Sequence, residues 1–151
     1  GMLSVAEREI QAVVPGNITA ARIPVTVIAG GRRSNAVELE LGVAAPAVFA
    51  TDPYGRGQAQ AFNQDGTPNG ASNPAPAGSV VTLTLTGDGN QAISVRIAGR
   101  PADVVSVTGQ GSGKTGLRVR IPEGLPAGST VPVRVKAGEF FSQSGVTLEV
   151  R

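Results

Sequence analysis

One pattern occurs twice along this chain, and it limits the possible folds more than any other feature. Ile10-Gln11-Ala12-Val13-Val14-Pro15 matches Leu117-Arg118-Val119-Arg120-Ile121-Pro122. Ile23-Pro24-Val25-Thr26-Val27 matches Val131-Pro132-Val133-Arg134-Val135, and Ala29-Gly30 matches Ala137-Gly138. Ser34-Asn35 and Val37-Glu38-Leu39-Glu40-Leu41 match Ser142-Gln143 and Val146-Thr147-Leu148-Glu149-Val150. The displacement is 107 residues between Pro15 and Pro122, 108 between Pro24 and Pro132, and 109 between Leu39 and Leu148. Two one-residue insertions therefore keep the register, and a repeat of this length predicts two related structural units. It points to a modular β protein rather than a single enzyme core.

Composition agrees with strands and turns. The chain is rich in Val, Ala, Leu and Ile but has only 4 Phe, 1 Tyr and no Trp. Its 21 Gly and 11 Pro punctuate β-prone runs, the pattern of short strands joined by turns. Net charge is +2, and Arg and Lys are scattered, so neither a basic stripe nor stacking aromatics point to nucleic acid. No stretch approaches the roughly 20 apolar residues of a membrane-spanning helix. The absence of Cys removes disulfides, thiolate metal sites and Cys nucleophiles together. Met2-Leu3-Ser4-Val5-Ala6 has neither the basic start nor the long apolar core of a signal peptide. Gly1 ahead of Met2 reads as a remnant of tag removal, which leaves two readings, a fragment of a longer protein or an open reading frame begun too late.

Alternation places the elements. Residues 1–7 read as a frayed end. Glu7 to Val14 reads as a strand with Ile10, Ala12 and Val14 on one face. Ile23 to Ile28 and Ser34 to Val43 read as a hairpin closed by Ala29-Gly30-Gly31-Arg32, where Gly accepts positive φ. Residues 46–78 read as a linker with a short hairpin and a loop rich in Pro and Asn. Val80 to Thr86, Ala92 to Ala98, Pro101 to Val107 and the repeated strands from Leu117 onward complete a second series. Gly109 to Gly113 reads as a flexible loop. Helix is expected nowhere beyond one turn near Ile18–Ala21 or Glu123–Ala127.

These residues carry a family resemblance. Val95-Arg96-Ile97-Ala98-Gly99-Arg100-Pro101-Ala102-Asp103-Val104 resembles a hairpin of immunoglobulin-like modules of the IPT/TIG kind. Gly116 to Pro122, with Gly124 and Ala127-Gly128, resembles a segment of the Solibacter-type uncharacterised C-terminal domain, found at the ends of large exported acidobacterial proteins. Ala45 to Phe49, Gly55 to Ala59, Asn63 to Asn69, and then Asn73-Pro74-Ala75 and Gly78 resemble the linker of the same group. The likeness runs from residue 10 to 151. Departures are Ala98 in place of a Gly, Arg118 and Arg120 in place of polar residues, and a shortened stretch between Gly89 and Ile93. The resemblance implies an immunoglobulin-like sandwich and no activity that attaches to a residue.

Candidate chemistry is sparse. Gly109-Gln110-Gly111-Ser112-Gly113-Lys114-Thr115 is close to a phosphate-binding loop, but the residue five before Gly113 is Thr108 rather than Gly. The residues that follow alternate as a strand, whereas a phosphate loop opens a helix. Asp52, Asp65 and Asp88 each sit in a Gly-rich loop. One Asp per loop fits a turn bonded to its own backbone better than a Ca²⁺ site with six to eight oxygens. Hydrolytic triads lack His and Cys. Paired carboxylates would have to come from Glu38, Glu40, Asp52, Asp103 or Glu149, and Glu38 and Glu40 share an outward strand face. Neighbours on a strand face opposite ways, so Phe140-Phe141 either sends one ring outward as an anchor or caps the sandwich end with both. Tyr54 is the other aromatic able to stack on a sugar.

The expectation is therefore an all-β, immunoglobulin-like β-sandwich: a partial unit at 1–45 (three strands), a linker at 46–78 and a complete unit at 79–151. The expected role is non-catalytic, a structural or adhesive module of an extracellular or cell-surface bacterial protein. The alternative is a carbohydrate- or surface-ligand-binding module using Tyr54, Phe140 and Phe141. No enzyme activity, cofactor, metal or nucleic acid is expected. The partner expected for such a module is a protein or polysaccharide at the cell surface. The partial unit has too few strands to close a sandwich, and open strand edges invite pairing. It is expected either to lie on the second unit or to form a homodimer.

Overall fold

The computed structural model describes residues 2–6 and 9–151, with side chains from Ser4 onward. Gly1, Glu7 and Arg8 lie outside the described residues, and with them the expected tag remnant and the first two residues of the strand expected from Glu7. No described residue is helical, so the chain is all-β. The helical turn expected near Ile18–Ala21 or Glu123–Ala127 does not form. Gly124 and Gly128 instead take positive φ, 69° and 74°, and turn the chain. The chain divides into two compact units, one ending at Val43 and the other running Ala44–Arg151.

In the first unit, β1 (Met2–Ala6) pairs antiparallel with β2 (Glu9–Ala12). β3 (Arg22–Val25) pairs with β6 (Val37–Glu40), and the small hairpin of β4 (Ile28–Ala29) and β5 (Arg32–Arg33) lies between them in sequence. The expected frayed start is thus corrected to a strand. Its register shifts between Met2 and Ser4, and a bulge of this kind destroys the two-residue period that marks a strand in sequence. Gly30 and Gly31, at φ 55° and 74°, close the small hairpin in the geometry that matches strand twist. No described side chain of this unit is buried. Paired strands without a buried face gain little from the hydrophobic effect and are marginal in water.

The second unit is a sandwich of two sheets. The first sheet runs in the order β13 (Val104–Gly111), β14 (Lys114–Arg120), β10 (Val80–Thr86), β7 (Ala47–Val48), with β9 (Ala61–Phe62) also on β10. The second runs β12 (Arg100–Ala102), β11 (Ile93–Ile97), β15 (Ser129–Ala137), β17 (Val146–Val150), β8 (Gly57–Gln58), with β16 (Phe140–Phe141) also on β15. Alternation builds the space between them. Val81, Leu83 and Leu85 on β10, with Leu117 and Val119 on β14, share one apolar cluster with Val131, Val133 and Val135 on β15 and Val146, Leu148 and Val150 on β17. Fully burying such a side chain stabilises by about 1.5–3 kcal/mol. Thr82, Thr84 and Thr86 take the opposite face of β10 and are half-buried.

Segment 46–78, read from sequence as a linker, belongs to the body of the second unit. Val48, Ala59, Ala61 and Ala75 are in its core. β8 runs parallel to β17, and the backbones of Ala75 and Ala77 continue along the same edge to Glu149 and Arg151. The segment thereby covers an edge that would otherwise be open. Gly109 to Gly113 is likewise paired rather than flexible. β13 runs to Gly111, β14 starts at Lys114, and Ser112 and Gly113 turn between them at φ 51° and 70°.

Pairing registers coincide at the positions that match in sequence. Ile23 faces Leu39 and Pro24 faces Glu38, as Val131 faces Leu148 and Pro132 faces Thr147. Ala29 faces Arg32 as Ala137 faces Phe140. The Val27 N–H donates to Ser34 Oγ at 2.9 Å, and the Val135 N–H donates to Ser142 Oγ at 3.1 Å. Val5 faces Ile10 as Val107 faces Leu117, and the bulge between Met2 and Ser4 answers one between Val104 and Ser106.

Candidate functional site

Two side-chain amides lock the second unit by imitating backbone. Gln143 Oε1 accepts from the Val48 N–H at 3.0 Å, and its Nε2 donates to the Val48 carbonyl and to the Gly55 carbonyl at 3.2 Å. Asn69 does the same at Glu149: Oδ1 accepts from the Glu149 N–H at 3.0 Å and Nδ2 donates to its carbonyl at 2.9 Å. Asn69 also donates to Asn63 Oδ1 and accepts from Gln58 Nε2. Among the described residues every buried side-chain nitrogen and oxygen has a partner, as a well-formed native interior requires. Sequence reasoning missed both clamps, because an Asn or Gln in a Gly/Pro-rich stretch reads as a turn residue.

The aromatic candidates sit on the segments that Gln143 ties together. Tyr54 lies in the Asp52–Gly55 turn and is 87% exposed. That turn is shaped by Asp52 Oδ1, which accepts from the Tyr54 N–H at 2.6 Å. Phe140 and Phe141 form the short strand β16 opposite Ala137 and Lys136, and both rings are exposed. Neither ring caps the core. Arg134 and Lys136 each lie 5.5 Å from the centre of the Phe141 ring, within cation–π range. A further cation–aromatic pair, unmarked in the sequence, is Lys114 at 5.2 Å from the Phe49 ring.

The acidic candidates do not converge. Asp65 Oδ1 accepts from the Thr67 hydroxyl at 2.6 Å and its N–H at 3.0 Å, and these bonds, the hydroxyl first, hold the Asp65 carboxyl below the usual aspartate range. Asp88 Oδ1 accepts from the Thr115 hydroxyl at 3.0 Å. Glu40 pairs with Arg22 on the exposed side of the β3–β6 hairpin, and Glu149 Oε1 accepts from the Thr130 hydroxyl at 2.8 Å. Among the described residues no three acidic groups gather where one cation could reach them. Lys114-Thr115 after the Ser112-Gly113 turn opens β14, so the segment leads into a strand and not a helix. A shallow depression of about 490 Å³ is lined by Asn63, Gln64, Asp65, Asn73, Pro74, Pro76, Ser79 and Arg151.

Fold and surface define a class: an all-β protein whose larger unit is a clamped two-sheet sandwich with exposed aromatics beside cations. Comparisons with protein-family models, curated proteins and solved structures return no match. Among the described residues no helix is long and apolar enough to cross a membrane.

Proposed function

We propose that this chain is a non-catalytic structural or adhesive module of immunoglobulin-like type, belonging to an extracellular or cell-surface bacterial protein, and that its first unit is a partial copy of its second. Strand order supports the immunoglobulin-like reading. β7-β10-β14-β13 against β11-β15-β17 reproduces the ABED and CFG sheets of a seven-strand immunoglobulin domain. Coincident registers support the copy. The bacterial surface setting and the kinship with the Solibacter-type domain rest on the motif resemblance alone.

The observation that carries the mechanical role is the fixing of the last strand on both edges. β17 is bonded to β15 on one side and to β8, Asn69 and Ala75 on the other. Tension applied at Arg151 loads these bonds together. Pulling the chain from its ends in a single-molecule force experiment is expected to give one sharp rupture for the second unit, at lower force in Asn69→Ala. Extension without a distinct rupture would contradict the load-bearing role. The sugar-binding alternative has a weaker basis, since cations already lie near the Phe141 ring. A specific glycan-array signal lost in Tyr54→Ala or Phe141→Ala, with melting unchanged, would replace the structural reading with that one.

A further inference from the structure

The sheet built on β10 has two faces, and the core uses only the inner one. Val81, Leu83 and Leu85 point inward, so Thr82, Thr84 and Thr86 line the outer face. Residues directly opposite each other on neighbouring strands share a face. Register therefore sets Arg118 on one side of Thr82 and Phe62 on the other. Two residues along β10, Gly116 lies on one side of Thr84. Phe49, whose N–H donates to the Thr84 carbonyl at 2.9 Å, lies on the other. Lys114 follows opposite Thr86. Two aromatic rings, a row of threonines and two cations thus share one surface.

The polar groups of this surface have no counterparts within the protein. The strands of the sheet carry Lys114, Arg118 and Arg120 but no Asp or Glu. Among the described residues the Arg118 guanidinium and the hydroxyls of Thr82 and Thr84 have no side-chain or backbone partner. Lys114 forms no ion pair and lies over the Phe49 ring, whereas Phe62 is 46% exposed and carries no cation. Gly116 leaves a gap in the face, and the Gln110 side chain fills it: a Cβ on Gly116 would lie 2.6 Å from Gln110 Nε2. That amide also lacks a partner among the described residues.

We propose that this outer face binds an acidic polysaccharide of the uronate type. The chemistry matches group by group. A sugar ring offers an apolar C–H face to Phe62 and hydroxyls to Thr82, Thr84 and Gln110, and a uronate carboxylate fits the free guanidinium fork of Arg118. Charge selects an anionic partner, because cations on these strands meet no acidic group of their own sheet. Small molecules are held in concave sites, whereas an open face suits a chain lying across several strands. An acidic peptide leaves the threonine hydroxyls unused. A single-stranded nucleic acid stacks its bases on successive rings, and Lys114 already covers Phe49. The surface lies on the sheet opposite that of Phe140 and Phe141. It adds a ligand class to the adhesive module and depends neither on the partial copy nor on the mechanical role.

Affinity electrophoresis and titration calorimetry of the full chain test this, with polygalacturonate, alginate and hyaluronate as probes and dextran, polyglutamate and oligothymidylate as controls. Binding to at least one of the three acidic polysaccharides and none to dextran is expected. Arg118→Ala and Phe62→Ala, both at exposed positions, are each expected to weaken it at least tenfold. Thr82→Val combined with Thr84→Val keeps the shape of the strand, removes both hydroxyls and is expected to weaken binding with melting unchanged. This pair decides the matter if Phe62→Ala lowers the melting temperature. Tyr54→Ala, Phe141→Ala and Arg134→Ala are expected to leave binding as it is. Absence of binding to all three probes overturns the proposal and leaves the force experiment untouched. So does binding that survives both Arg118→Ala and the threonine pair, or an equal loss in Arg134→Ala, which would mean attraction by charge alone. Tighter binding of polyglutamate or of oligothymidylate also overturns it, and makes an acidic peptide or a nucleic acid the occupant.

Discussion

Leu39 and Leu148 are the same residue at matching positions of two hairpins, facing Ile23 and Val131. Their surroundings differ. Leu148 is fully buried in the sandwich core, and Leu39 is 38% exposed in a unit with no buried side chain. Leu148→Ala removes transfer free energy and leaves a cavity between two sheets held by backbone ladders, so little collapse is available. The expected cost is about 3 kcal/mol, within the roughly 2–5 kcal/mol range of buried Leu→Ala changes. For a unit of this size that corresponds to a fall in melting temperature of roughly 10–20 °C. Leu39→Ala is expected to change the main transition by no more than about 0.5 kcal/mol, as surface substitutions do. The chain has no Trp and its one Tyr is exposed, so fluorescence reports little. Calorimetry, or far-ultraviolet circular dichroism in urea, is the suitable assay. Equal losses from the two substitutions would refute the reasoning, because they would mean that Leu39 is buried in a core of its own.

Asn69→Ala leaves the Glu149 N–H without its acceptor and is expected to cost about 1–3 kcal/mol in urea denaturation. Asn69→Asp is expected to do no better, since an ionised carboxylate cannot donate to the Glu149 carbonyl or to Asn63. Gly87→Ala is expected to destabilise the second unit: φ is 71°, and a Cβ there would sit 2.1 Å from the Ala45 carbonyl oxygen. A normal melting temperature for this variant would show that the Ala45–Gly87 contact is misplaced. Asp65 is expected to titrate below an ordinary aspartate by carbon-detected NMR, and Thr67→Val to raise its midpoint. Because its folded value is depressed, the contribution of this turn to stability is present above the unfolded value of 3.8 and is lost as pH falls through the lower folded value.

Much of the fold was legible where strands are long and one face is dry. Val81-Leu83-Leu85 and Val131-Val133-Val135 alternate without interruption, and both are core strands. The sequence match drew attention to two hairpins in which Pro24 and Pro132, and Ser34 and Ser142, hold equivalent places. Segment 46–78 was opaque because its strands are two residues long and carry no period. Its order comes instead from side-chain amides and backbone bonds that composition does not reveal. Met2–Ala6 was hidden by its bulge, although Ser4-Val5 matches Ser106-Val107 once the pairing is known. Gly109 and Gly111 pair through backbone alone, and glycine leaves no side-chain pattern to read. The surface candidates were located by residue type, but the cations beside Phe141 and Phe49 depend on cross-strand neighbours that no single stretch displays.

The account turns on one hairpin matching another, and cross-strand distances in solution measure this directly. Nuclear Overhauser spectra of the full chain are expected to place Ile23 opposite Leu39 and Pro24 opposite Glu38, the register in which Val131 meets Leu148 and Pro132 meets Thr147. A first hairpin offset by one residue would send its apolar side chains to the other face. That offset, or a first unit without strand pairing, would contradict the account.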